Sequence, residues 1–275
     1  MRIRNKNFDI KQIAESGQCF RMDPISENKH SLIAFDRYIE LEQVEEDLID
    51  ISCSKTDYEF IWKDYFDLDF DYGSIVGKLN SDSDEFLKAA SSFGRGIRIL
   101  RQDPFETLIS FIISQNKNIP SIKVCIERIC ETYGNRMKDN KSGRDYYTFP
   151  TPIVLAEAKK EDLRALKLGY RDEYIIGAAR AVAVGDIDLN ALKICSHDEA
   201  VKALKSIKGI GDKVANCISL FGLHHIEAFP IDVWMKRVLS EYYQDKFDPE
   251  KYSGYAGIVQ QYMFYYIRHI HGVSN

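Results

Sequence analysis

The hydrophobic pattern of the chain changes period near residue 55. Up to about residue 54, segments such as KHSLIAF, DRYIELEQV and LIDISC alternate β-branched or aromatic residues with polar ones, and turn material such as DPISEN breaks them. A period of two predicts short strands with one buried face. Further on, SDSDEFLKAASSF, PFETLISFIISQNKN, PSIKVCIERICETYG, EYIIGAARAVAVG and GYAGIVQQYMFYYIRHIHG carry apolar residues at helical spacing, several after a Ser, Asp or Pro start. Strands followed by helices predict an α+β fold with segregated layers. The expected division is an N-terminal antiparallel β domain over residues 1–90 and a helical region over 91–275. A loop near 139–152, DNKSGRDYYTFPTP, splits the helical region into two mainly α-helical subdomains. No fixed-period repeat or low-complexity tract is visible.

Composition narrows the class. Hydrophobic residues make up 45% and charged residues 29%, as in ordinary globular proteins. No run approaches the ~20 apolar residues of a membrane span, and MRIRNKNFDIKQ lacks the apolar core of a signal peptide. The expected location is the cytoplasm, with the nucleoid, in a prokaryote, or the nucleus in a eukaryote. Six scattered cysteines without pairing rhythm read as reduced and mostly buried, with no metal site. His224, His225, His269 and His271 read as surface or capping residues rather than ligands.

The formal net charge of −5 argues against a general coat of positive charge, though nucleic-acid affinity depends on one face rather than on the total. Acid is concentrated early. Residues 95–138 carry Arg95, Arg98, Arg101, Lys117, Lys123, Arg128, Arg136 and Lys138, which places an expected nucleic-acid footprint on the later part of the chain.

The densest chemistry lies in LKSIKGIGDKVANCISLF followed by AFPIDVWMKRVL. Helix signals end near Ser206, Gly209 and Gly211 permit a tight turn, and Asp212 reads as the cap of the next helix. This helix-hairpin-helix, spanning 198–222, offers free backbone amides as a seat for one phosphate. Lys213 sits in the first turn of the second helix, where the helix dipole opposes a cation. A neutral lysine amine is a nucleophile able to form a Schiff base; a solvated lysine touching a phosphate is the alternative. Asp232 lies 19 residues on, directly before VWMKRVL, as a helix cap whose carboxylate can also stabilise an oxocarbenium-like sugar.

Hairpin, lysine and aspartate together resemble the helix-hairpin-helix DNA glycosylase superfamily, in which the lysine marks the bifunctional glycosylase/lyase members. The iron–sulfur branch usually adds four cysteines after this module, and here none follows Cys217. SGQCFRM, IISQNKNI, LGYRDEYI, the hairpin and YAGIVQQYMF, in that order across nearly the whole length, resemble 8-oxoguanine DNA glycosylases. The resemblance implies an active-site cleft between the two helical subdomains, double-stranded DNA containing 8-oxoguanine as partner, a monomer, and no required cofactor, with a structural monovalent cation on the hairpin carbonyls as an option. It implies that Gly17 presents its carbonyl to the N7 proton of 8-oxoguanine and that Gln260 reads the Watson–Crick edge. Phe264 and Cys217 would sandwich the base, Asn116 would fill the gap in the duplex beside a Tyr170 wedge, and Arg171 would meet the orphaned cytosine. From position alone, Phe264 and Cys217 also read as core and Asn116 as a cap.

The Gly17 contact cannot discriminate by itself. A buried mismatch at its carbonyl costs ~1 to 3 kcal/mol, about 5- to 150-fold, against a large excess of normal guanine. Further selection has to come during extrusion or alignment. Two positions depart from the resemblance: Ser121 stands where many relatives carry an arginine that contacts the opposite cytosine, and Trp234 stands where relatives often carry a histidine near the DNA backbone. The first predicts relaxed opposite-base preference. Competing readings are a superfamily enzyme acting on adenine mispairs or alkylated purines, and a non-catalytic DNA-binding module.

Overall fold

A computed structural model describes residues 1–272. The fold is α+β. Five strands, β1 (Arg2–Arg4), β2 (Met22–Ser26), β3 (Lys29–Ala34), β4 (Arg37–Glu45) and β5 (Leu48–Ile51), form an antiparallel sheet in the order β1-β5-β4-β3-β2. The β3–β4 turn uses Phe35 and Asp36, both at positive φ, the twist-compatible geometry of a two-residue hairpin. Leu32, Ile39, Leu41 and Ile49 alternate onto one face and pack against Phe8, Ile13, Trp62 and Phe66.

Two local expectations miss. Ile10–Glu15 is a helix within the β region, capped by Asp9, whose side chain accepts from Gln12 N. Its six residues are too few to establish a visible 3.6-residue period. The expected 139–152 loop overlaps a small hairpin that pairs Arg136–Lys138 with Asp145–Tyr147. Elsewhere Asp starts act as expected, Asp84 and Asp103 capping the helices Glu85–Phe93 and Pro104–Ser114, while the cap of Ile119–Tyr133 is Asn118 and not Asn116. No helix among the described residues is long and apolar enough to cross a membrane.

A second and larger core, which includes Ile97, Ile99, Phe111, Ile126, Ile175, Ile218 and Tyr262, lies among the helices. The two cores are joined by the segment Ile97–Leu100. Ile97 and Ile99 belong to the helical core and Leu100 to the sheet core. Between them Arg98, 1% exposed, turns its guanidinium onto backbone. Nε donates to Phe66 O (3.0 Å), Nη1 to Asn5 Oδ1 (3.0 Å), Lys6 O (3.3 Å) and Asn7 O (3.0 Å), and Nη2 to Asp67 O (2.8 Å) and Phe70 O (3.0 Å).

The expectation that residues 95–138 form a basic footprint is therefore corrected in most of its members. Arg98 is interior, Arg95 pairs with Glu46, Arg101 with Asp67 (3.0 Å), Lys123 with Asp23 (2.9 Å) and Arg136 with Asp145 (2.7 Å). Acid of the sheet region, Glu46 and Asp23, neutralises part of the basic run that follows it. The histidine reading also fails at His224 and His225. The His225 ring is buried with Nε2 3.0 Å from Leu192 O, and that of His224 lies 3.5 Å from Asp67. Arg98→Met, which keeps bulk but strands several buried acceptors, is expected to destabilise the fold by about 3–5 kcal/mol in urea denaturation; a loss below about 1 kcal/mol would show that water replaces the guanidinium readily.

Candidate active site

The hairpin joins the helices His197–Lys205 and Asp212–Phe221. The first begins with a reciprocal capping box between Ser196 and Glu199. Gly209 lies at φ +93, and a Cβ there would come within 2.4 Å of the Tyr174 ring, so both the turn and the close approach require glycine. The cap assignment is corrected: Gly211 is the N-cap and Asp212 the first helical residue, its carboxylate paired with Lys205. A glycine cap supplies no side-chain acceptor, and the space beside Gly211 is open. The amides of this first turn are left to an outside anion.

Lys213 is half-buried one position further on, with Nζ over the Phe111 ring at 5.4 Å. Asp232 caps the helix Val233–Tyr243; its Oδ1 accepts from Trp234 N (3.0 Å) and Met235 N (2.9 Å). Lys213 and Asp232 meet electrostatically at Cys217, one helical turn beyond Lys213. Burial pushes the Cys217 thiol up, the adjacent Lys213 ammonium draws it back down by charge and hydrogen bond, and the Asp232 carboxylate opposes that. Cys217 is thus a neutral, apolar-walled surface beside an amine and a carboxylate.

The C-terminal helix Ala256–Ile270 supplies the opposite wall. It docks on the loop before Asp232 through Gly257 N, which donates to Ile226 O (2.8 Å), and through Gln260, 3% exposed, whose Nε2 donates to Pro230 O (3.2 Å). One turn later Phe264 lies against Gly17: a Cβ on Gly17 would sit 3.2 Å from Phe264 Cε1 and 3.6 Å from Ile119 Cδ1. Gly17 is at φ +75. Gln18, 1% exposed, holds the loop in place, with Nε2 donating to Arg98 O (2.8 Å) and Oε1 accepting from Leu100 N (2.9 Å).

Arg268 was not singled out by the sequence. It is 6% exposed, lies over the Phe264 ring at 5.2 Å and donates to Glu15 O (3.2 Å). Burial draws the guanidinium down while Asp232 and Glu15 pull it up, so it links the base-side wall to the carboxylate. Its place one turn after Phe264 was the available signal. Phe111 was not singled out either.

Asn116, Tyr170 and Arg171 form a separate group. Asn116 stands at φ +53 at an exposed tip and its Nδ2 donates to Tyr170 Oη (3.1 Å). Arg171 stacks on Tyr170 (4.5 Å) but is only 6% exposed; Nη1 donates to Leu168 O (3.1 Å), Nη2 to Gln115 O, and Nε is buried without a partner. Gln115 also donates to Gly209 O (3.1 Å), which ties this tip to the hairpin. Ser121 lies in the first turn of its helix, where its N–H reaches the Asn118 cap (3.0 Å). Trp234 lies between Arg237 (5.1 Å) and His271 (5.7 Å).

A hairpin with an open anion seat, a lysine in its second helix and a capping carboxylate at the start of the next helix define a helix-hairpin-helix protein. The chain belongs to the HhH-GPD superfamily of base excision DNA repair proteins, whose match covers residues 109–254, with the N-terminal domain of 8-oxoguanine DNA glycosylase matching residues 1–108. It is 32% identical to a probable N-glycosylase/DNA lyase of Methanothermobacter thermautotrophicus over 74% of this chain and 72% of that one. It is 36% identical to the N-glycosylase/DNA lyase of Saccharomyces cerevisiae over 66% of this chain and 50% of the yeast protein. The crystal structure of Clostridium acetobutylicum 8-oxoguanine glycosylase/lyase, in complex with DNA containing cytosine opposite 8-oxoguanine, superposes with a TM-score of 0.90 at 36% identity, covering 97% and 93% of the two chains.

The Gly17–Phe264 packing is testable directly. Gly17→Ala forces a left-handed backbone on an L residue and crowds Phe264, so it is expected to destabilise the fold by about 1–2 kcal/mol in urea denaturation. An unchanged midpoint would mean that the loop yields without cost.

Proposed function

We propose that the chain is a bifunctional DNA glycosylase and AP lyase that excises 8-oxoguanine from duplex DNA after flipping the nucleotide out of the stack. The observation that carries this reading is that Lys213, in the glycine-capped first turn of the hairpin's second helix, and the Asp232 cap carboxylate both act by charge on the same buried thiol, Cys217. In the proposed chemistry the Lys213 amine, as the free base, attacks the sugar C1′. The bond from C1′ to the base breaks, and the base leaves with the electron pair and takes up a proton. Asp232 stabilises the positive charge that develops on the sugar. Opening of the ring gives an imine to Lys213, and loss of a C2′ proton then expels the 3′ phosphate by β-elimination. No step requires a cofactor. A monovalent cation on the hairpin fits the same residues: the Ile207 and Gly209 carbonyls each accept one hydrogen bond, which leaves a second lone pair.

In this reading the Gly17 carbonyl accepts the N7 proton of the lesion, Gln260 reads its Watson–Crick edge, and Cys217 and Phe264 hold its two faces. Asn116 and Tyr170 occupy the gap, refilling the stack after a cost of a few kcal/mol. The lesion-strand phosphate sits on the hairpin amides around Gly209 and Gly211. The proposed site of action is the cytoplasm of a prokaryote or the nucleus of a eukaryote.

Incubating the protein with an 8-oxoguanine duplex and borohydride is expected to trap a covalent complex that Lys213→Gln abolishes. Absence of an adduct with the unaltered protein would overturn the mechanism, and trapping on adenine-mispair or alkylated duplexes alone would favour another branch of the superfamily. Opposite-base preference is expected to be relaxed. Arg171 already spends two of its donors on backbone, and a full bidentate base contact is worth only about 1–3 kcal/mol of discrimination. Excision rates opposite A, G and T within roughly tenfold of the rate opposite C are expected; a uniform fall to a few per cent would contradict this.

A further inference from the structure

Three of the four cations lining the tip and the adjoining helix have no carboxylate within ion-pair distance among the described residues, and they share one cavity. Lys117, Arg128 and Lys167, with Ser121 and Val124, line a pocket of about 330 Å³. Lys123, on a different part of the same helix, is by contrast paired with Asp23. Two other cations close by in the chain are also matched: Arg164 pairs with Asp172 (2.5 Å) and Lys160 with Glu173 (2.7 Å). Ser121, Val124 and Arg128 fall at i, i+3 and i+7 on the helix Ile119–Tyr133 and so present one face. Lys117 Nζ reaches across to Lys167 O (3.4 Å), and Lys167 holds left-handed backbone, φ +65. Among the described residues no acidic side chain lines it.

We propose that this pocket seats a backbone phosphate of the undamaged strand, and that it is a binding site separate from the hairpin. The proposal rests on the DNA-repair reading above. The spatial order supports the strand assignment. Gln115 ties the Asn116 tip to the hairpin on one side, and Lys117 ties it to Lys167 on the other. With the lesion strand on the hairpin amides and Asn116 in the gap, the backbone that meets the far side of the tip is that of the paired strand. Ser121 at the pocket's rim is small and neutral, so the site offers charge rather than a reader of base edges. Phosphate contacts position a duplex without carrying sequence. The chain thus grips the undamaged strand equally whatever base stands opposite the lesion, which gives relaxed preference a structural basis.

The test measures binding to duplexes carrying a stable abasic-site analogue opposite each of the four bases, over a series of salt concentrations. Lys117→Gln/Lys167→Gln is expected to weaken binding by roughly fivefold per cation at 0.15 M salt, by a similar factor opposite all four bases, and to lower the salt slope by about 1 per charge removed. Both substitutions lie at exposed or half-exposed positions, and a circular dichroism melt checks that folding is retained. A single neutral methylphosphonate in the undamaged strand, beside the orphaned base, should weaken the unaltered protein but add little to the loss in the double variant. An unchanged salt slope overturns the proposal. So does full additivity of the two changes, or interference confined to methylphosphonates in the lesion strand. Because the readout is binding and not excision, failure of borohydride trapping on 8-oxoguanine would overturn the functional reading while these results remained interpretable.

Discussion

The buried guanidinium of Arg98 is the constraint on which the rest of the structure depends. Desolvating a permanently charged group costs several kcal/mol, and it is tolerated only when its donors are satisfied. Arg98 meets that condition with six oxygens drawn from residues 5–7 and 66–70, so the N-terminal segment and the chain leaving the sheet region are held to one point. The same strap binds both ends of the Gln18 amide through Arg98 O and Leu100 N. Gly17, the preceding residue, is thereby fixed against Phe264 of the C-terminal helix. A pocket wall contributed by the sheet region owes its position to an arginine that has no part in chemistry.

The opposite wall is set by a different device. Helix termini place the reactive groups: Lys213 in a first turn whose cap is a glycine, and Asp232 as a cap whose Oδ1 already holds two amides. Holding the Asp232 carboxylate through backbone removes rotamer freedom that a catalytic step would otherwise have to remove. The Phe111 face and the Cys217 thiol then give Lys213 an apolar floor. Arg268 links this side to the base wall through Phe264 and Glu15. Discrimination is consequently distributed, since one carbonyl at Gly17 supplies only ~1 to 3 kcal/mol.

Much of this was legible from local signals. The period change near residue 55, the Asp, Ser and Pro starts, and the paired glycines all act over a few residues, and the structure uses them as the pattern implies. What was not legible depends on long-range pairing. Arg98 looked like one more cation in a basic run, because nothing in its neighbourhood reveals the six acceptors that lie 28 to 93 residues away. Arg95 and Arg101 were misread for the same reason, whereas Arg136 is paired with Asp145 across the small hairpin that the sequence pattern did not reveal. Asp212 looked like a cap, but Gly211 fills that position and Asp212 turns to Lys205. His225 reads as polar surface by type, yet its ring is closed over Leu192 O. The pocket between Lys117, Arg128 and Lys167 joins residues 50 positions apart and had no sequence signature.

The central claim is that the nucleophile is the amine of Lys213. It is tested most directly by digesting the borohydride-reduced protein–DNA adduct and locating the modified residue by mass spectrometry. The account predicts a single adduct on the peptide that contains Lys213, at its side-chain nitrogen. An adduct on the N-terminal amine, on Lys208 or on any other lysine would contradict it.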